Sequence, residues 1–343
     1  MDKKAIHGLL LQVAMFLYVR GYSFFVFFSI LLSYAYAQQS YTLSGRAQGT
    51  TYQIKYYADE KIAKHEIDSV LKVIDQSMSL YDPNSTICKF NNPQVTTVVM
   101  DDHMANVIQA SWKTYKETRG YFDITVYPLV KLWGFGTEGP QDIPRPEQVD
   151  SVRRIIGMKK LRVKGNRLTK RVPNVSIDLN GIAQGYSVDV LASYLMDRGV
   201  QRFLIELGGE IRALGNKPDG PFVVEIYRPV AIGKGQVLKV KMENNAITSS
   251  GVYEQQRNVG GKTISHHMNP LTGKPLESSI VSTTVIAKTA MEADALDNYF
   301  MSMNPEEAIR YANKRKDTEV YIVYFEDNTF KELQSSGFNN YIY

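Results

Sequence analysis

The residues Val175-Ser176-Ile177-Asp178-Leu179-Asn180-Gly181-Ile182-Ala183-Gln184-Gly185-Tyr186 open the stretch whose reading decides the fold. The apolar and β-branched run Val175–Leu179 predicts a strand, Gly181 a turn, and the pattern from Gly181 to Arg198 a helix stopped by Gly199. A further strand, Phe203–Leu207, follows directly. In a regular βαβ repeat a helical pattern would come next. Instead two more strand-like runs, Phe222–Tyr227 and Val237–Met242, succeed each other, so the chain reads as an α+β layered domain.

The flanks carry the same mixture. Upstream, Ile67, Val70, Leu71, Ile74 and Met78 share one face of a helix from Glu66 to Leu80. Met104, Val107, Ile108, Trp112 and Tyr115 mark a second helix, with Asp101 or Asp102 as N-cap and Gly120 as stop. Downstream, helices are expected over Thr289–Met303 and over Pro305–Lys316, the latter with Asn304 as N-cap and Pro305 at the first helical position. Strands are expected at Thr51–Tyr57, Val95–Met100, Arg162–Lys164, Ile280–Ala287 and Val320–Phe325. The Pro- and Gly-rich stretch Gly134–Pro146 reads as a loop.

Composition excludes several classes. With 44% hydrophobic and 22% charged residues, the chain has an ordinary globular make-up, unlike collagen or a disordered tract. Its 40 basic and 35 acidic side chains are spread evenly, so no basic stripe marks a nucleic-acid partner. One cysteine, Cys88, forms no intramolecular disulfide and, with five histidines, leaves no material for a Cys/His zinc site.

Residues 1–37 stand apart. Lys3, Lys4 and Arg20 precede an apolar run that ends in Ala35-Tyr36-Ala37, which reads as a signal peptide cleaved after Ala37. The rival is a retained N-terminal signal anchor, against which Arg20 weighs, since charge inside a membrane span is costly. Either way residues 38–343 are expected outside the cytoplasm, in the periplasm or on the periplasmic side of the inner membrane, with membrane association possible through the leader.

Familiar motifs fail on spacing. Gly261-Lys262-Thr263 lacks the earlier glycine of a P-loop, Leu207-Gly208-Gly209 lacks dinucleotide-fingerprint spacing, and Ser249-Ser250-Gly251 lacks a nucleophile elbow. Three features remain, each with a plain structural alternative. Asp178–Tyr186 is either a phosphate-cradling helix start or a simple strand–turn–helix. Asp294 and Asn298, four apart with Asp297 beside them, are either oxygen ligands for Mg²⁺ or a solvated helix face. His266, before the turn Met268-Asn269-Pro270-Leu271-Thr272-Gly273, is either a general base or a surface histidine.

In order along the chain, these segments resemble the FAD:protein FMN transferase (ApbE flavin transferase) family. The segments are Gly49-Thr50-Thr51-Tyr52, Ser79–Ser85 with Phe90-Asn91, and Gly120-Tyr121-Phe122-Asp123-Ile124-Thr125-Val126 with Pro128–Phe135. Asp178–Tyr186, Leu207-Gly208-Gly209, Ser249-Ser250-Gly251-Val252-Tyr253, His266–Gly273 and Glu292–Leu296 follow, so the likeness runs from about residue 45 to 305. It implies a T-fold-like α+β architecture of layered mixed or antiparallel sheets with packed helices. It also implies FAD as substrate, Mg²⁺ as cofactor, and transfer of FMN through a phosphoester to a Thr or Ser of an acceptor flavoprotein, such as an NADH:quinone oxidoreductase subunit, with release of AMP.

Carried over residue by residue, the resemblance implies flavin contacts at Gln48, Tyr81, Tyr121, Phe122, Asp123 and Asp178. Gln184, His267 and Met268 fall nearer the phosphates, Gly181 (through its carbonyl), Asp294, Asp297 and Asn298 at the metal, and His266 at the transfer step. The chain departs from the family pattern in four places: Gln48 replaces a common Met, Gln184 a Lys or Glu, Asn269 an Asp, and Asn298 a Thr. The leader also has no lipobox cysteine. Two other functions suit the same residues: an FAD pyrophosphatase, with water as acceptor, and a non-catalytic FAD-binding protein.

Overall fold

A computed structural model describes residues 38–137, 142–231, 234–251, 256–259 and 262–343. The expected leader, Tyr253 and Gly261 lie outside the described residues. The central feature is an eight-stranded sheet of β1 (Gln39–Ala47), β2 (Thr50–Ala58), β3 (Arg202–Leu207), β4 (Glu210–Leu214), β5 (Ala246–Gly251), β6 (Ile280–Ala287), β7 (Glu319–Glu326) and β8 (Thr329–Gln334). Neighbours in space are neighbours in this numbering, and every pairing is antiparallel.

Helices enter the sheet's chain order twice. Helices α1 (Lys64–Met78), α2 (Asp102–Glu117) and α3 (Asn180–Asp197) lie between β2 and β3, and α4 (Ala290–Met301) and α5 (Pro305–Ala312) between β6 and β7. Each half therefore reads antiparallel pair, helices, antiparallel pair, with a long connection between β5 and β6. Side chains alternate across each strand, so both faces of the sheet need a cover. Tyr56 and Phe203 pack against α1 and α3, whereas Tyr57, Ile286 and Val323 pack on the opposite face under the outer hairpin Phe222–Ala231/Lys234–Met242. Burying a side chain of Phe203's size stabilises the fold by about 1.5–3 kcal/mol.

Caps hold the helices where the sequence places them. Asp101 accepts from Met104 N–H, Thr289 from Glu292 N–H and Asn304 from Glu306 N–H. The turn Gln48-Gly49 has positive φ at both residues (52° and 76°), as a two-residue hairpin loop requires.

The α+β expectation holds, but one of the runs that led to it does not. Val175–Leu179 belongs to no strand. Its backbone is satisfied by other means: Asn91 receives Ile177 N–H at 2.7 Å and donates to Ile177 carbonyl at 2.8 Å, and Asp178 N–H donates to the Ile124 carbonyl at 2.7 Å. Val95–Met100 shortens to Thr97–Val99, in a small sheet with Leu161–Lys164 and Arg167–Lys170. Pro146, at the end of the expected loop, starts the helix Pro146–Arg153. No helix among the described residues is long and apolar enough to cross a membrane.

Candidate active site

The site is built where α3 crosses α4. A Cβ on Gly185 would stand 2.3 Å from the Ala290 carbonyl oxygen and 2.8 Å from Asp294 Cβ, so the absence of a side chain lets the two backbones touch. Gly185 N–H then donates to Asp294 Oδ2 at 2.9 Å. In a regular helix that N–H would point to the Gly181 carbonyl. Gly181 is the residue that leaves helical geometry (φ −85°, ψ 23°), which rotates its carbonyl by about 65° from the usual direction.

Asp294 and Asp297 are both buried on α4. Desolvation, followed by the neighbouring Asp297 and Asp189 charges, raises the Asp294 carboxyl well above the usual range. Asp297 Oδ2 accepts from Ser250 Oγ on β5. Asn298, one turn beyond Asp294, lies beside the Gly181 kink: its Nδ2 is 3.3 Å from where a Gly181 Cβ would be. Two carboxylates and a turned-out carbonyl are hard oxygen donors of the kind that hold Mg²⁺ together with water and phosphate. Among the described residues no group of three His, Cys, Asp or Glu side chains forms a metal cage on its own.

The histidine loop comes to the same place. His267 is buried, its Nδ1 meets Asn298 Oδ1, and its ring lies 3.9 Å from that of His266. Burial, with His266 adding to it, pushes His267 down to about 3, so its imidazole is neutral. The turn behind these rings is braced by Trp133 Nε1, donating to Gly273 carbonyl at 2.9 Å, and by Arg153 Nη2, donating to Leu271 carbonyl at 2.7 Å. His266 is thus two contacts away from the helix that bears the carboxylate pair.

The ApbE family model matches residues 48–322, which takes in every part of this cluster. The chain belongs to the ApbE family. It is 35% identical over 308 residues to a FAD:protein FMN transferase of Vibrio cholerae, covering 88% of this chain and 92% of that protein. The FAD:protein FMN transferase of Haemophilus influenzae is 35% identical over 312 residues, covering 87% and 90%. Among solved structures, the flavin transferase ApbE from Vibrio cholerae superposes with TM-score 0.81 at 34% identity, covering 89% of this chain and 100% of that one. The apo flavinyl transferase ApbE of Pseudomonas stutzeri gives TM-score 0.81 at 30% identity, covering 90% and 98%.

Within this ApbE-family chain the other expected ligand residues are less uniform. Gln184 on α3 reaches the Gly208 turn, where its Nε2 would be 3.0 Å from an added Cβ. Gln48 donates to Ser187 Oγ at 2.9 Å, which ties the β1–β2 turn to α3. Tyr81 is 77% exposed, and Tyr121 packs 5.6 Å from Tyr299 of α4. Phe122 is a core residue. Asp123 is buried and engaged internally, accepting from Thr125 N–H, Thr125 Oγ1 and Met158 N–H. Asp178 is half-buried, accepts from Asn180 N–H, and is pushed up to about 6 by desolvation. Met268 packs against the Leu129 and Trp133 cluster.

A cavity of about 530 Å³ opens against Pro270 and Leu271, lined by Arg119, Asp123, Arg153 and Arg154, but not by the α4 carboxylates. Two site residues escaped the sequence reading. Ser250 lay in a segment that failed as a nucleophile elbow and counted toward the family likeness without a role of its own. Asp189, which caps α4 from α3, has no local signature, because its partners are 23 to 102 positions away.

Proposed function

We propose that this protein is an exported, Mg²⁺-dependent FAD:protein FMN transferase acting on an acceptor flavoprotein, held at the membrane if its leader is retained. The observation that carries the reading is the chain of contacts from His266 through His267 and Asn298 to α4, which brings a candidate base to a buried carboxylate pair. Mg²⁺ would be held by Asp294, Asp297 and the Gly181 carbonyl. Such an ion offsets the charge of a diphosphate and of the oxygen that leaves it.

The remaining work belongs to the chain. The Gly181 turn and Gln184 hold the diphosphate, and His266 takes the proton from the acceptor Thr or Ser hydroxyl. That oxygen bonds to the FMN phosphorus as the bond to the AMP oxygen breaks, so FMN passes to the protein and AMP leaves. Asp123 supports the site from behind, since its oxygens are engaged in holding its own turn.

The test is transfer to a purified acceptor domain with FAD and Mg²⁺, read as in-gel flavin fluorescence. His266→Ala should lower the rate by about 10²–10⁴-fold. A wild-type rate in that variant removes His266 from the reaction, and equal AMP release without acceptor turns the assignment to a pyrophosphatase.

A further inference from the structure

The contact between His267 and Asn298 has a polarity that the reaction above leaves unused. An amide oxygen has no proton to give, so where Nδ1 meets Asn298 Oδ1 the ring nitrogen carries the hydrogen. A neutral imidazole has one N–H, which leaves Nε2 as a bare lone pair, and this buried atom has no hydrogen-bond partner. The reverse arrangement, with the amide turned over and the proton on Nε2, would bury a donor with nowhere to donate. Orphaned donors are rarer than under-satisfied acceptors. With the oxygen taken by His267, the amide presents Nδ2 to the Gly181 kink, and Nδ2 donates to no other described residue.

We propose that His267 is a positioning residue: by donating from Nδ1 it locks the Asn298 amide, so that position 298 offers an N–H donor to a ligand phosphate oxygen beside Gly181 rather than an oxygen to the cation. This departs from the metal-ligand role that the resemblance implies for Asn298. It rests on the flavin-transfer reading only for the source of the phosphate. Asp294, Asp297 and the Gly181 carbonyl are then the chain's oxygens for the ion. The residue that stands where Thr is usual works on the substrate side.

Three measurements on the full chain test this. Long-range ¹H–¹⁵N spectra of histidine-labelled protein, taken without metal or nucleotide, should show His267 as the Nδ1–H tautomer; an Nε2–H tautomer overturns the proposal. Mn²⁺ binding, followed by the EPR signal of the free ion, should change less than about twofold in Asn298→Ala, whereas a loss of about tenfold or more, typical of a damaged metal shell, overturns it. ADP binding should weaken about fivefold in Asn298→Ala and in His267→Phe, and no further in the double variant, because the two act as one unit. Independent, multiplying losses in the double variant overturn it. Wild-type protein that binds neither Mn²⁺ nor ADP defeats the flavin-transfer reading instead, and the tautomer still decides what His267 does.

Discussion

The α3–α4 crossing holds carboxylates at two points, one half-buried and one buried, and surrounds them with different neighbours. At the N-terminal end of α4, Asp189 receives Ala290 N–H at 3.0 Å and Met291 N–H at 2.9 Å, and pairs with Arg212 at 2.5 Å. Desolvation raises the Asp189 carboxyl above its usual range, while the Arg212 guanidinium and the two helix-start N–H groups work against that rise. One turn further along α4, Asp294 receives a single backbone N–H, and the charges bearing on it are those of Asp297 and Asp189. The same pair of helices therefore contains a compensated carboxylate that holds the fold and a strained one suited to a cation. The difference teaches where to look for chemistry: not at buried acids as such, but at those whose neighbours repel them.

Removing each carboxylate should separate the two cases. Asp189→Ala leaves Arg212 and two helix-start N–H groups without their acceptor and should destabilise the protein by about 3 kcal/mol, measured by urea unfolding. Asp294→Asn should act in the other direction without metal. An amide oxygen still accepts from Gly185 N–H, while the repulsion from Asp297 and Asp189 is lost, so metal-free stability should rise by about 1 kcal/mol. On the proposed metal site, Mg²⁺ should raise the thermal stability of the wild type but not of this variant, which should also lose FMN transfer. Equal losses of stability in the two variants would erase the distinction drawn above.

How much of this was legible follows from the range of the interactions. The helices α1 to α5 and the strands β2, β3, β6 and β7 follow from local period and caps, whereas β1 and β8 lie outside the expected runs; Ile280–Ala287 runs over the expected residues because its β-branched pattern is strong. The strands β4 and β5 had no comparable pattern; they are short and are defined by partners in the sheet. Val175–Leu179 looked like a strand by composition, and only Asn91, more than 80 positions away, shows why it is not. Asp294 and Asn298 were readable from helical spacing. That Gly185 closes the helices together, that Ser250 reaches Asp297 and that His267 reaches Asn298 are facts of the assembled fold.

Asp178 supplies an intermediate case and the smallest effect. It stands at the entry to α3, has one backbone donor like Asp294, yet remains half in contact with solvent. Its folded pKa of about 6 lies above the reference value of 3.8, so the native state holds the proton more tightly than the unfolded chain does. The stability this contributes is complete below the unfolded value and is lost as the pH rises through about 6. Solvent screening at a half-buried group reduces the size of the effect to about 1 kcal/mol between acid and neutral pH. Asp178→Asn should flatten that part of the stability profile, measured by urea midpoints across the range, and leave the profile above neutral pH unchanged. A slope that survives in Asp178→Asn but vanishes in Asp294→Asn would place the titration within the α4 pair and make the crossing, rather than the entry to α3, the acid-sensitive part of the molecule.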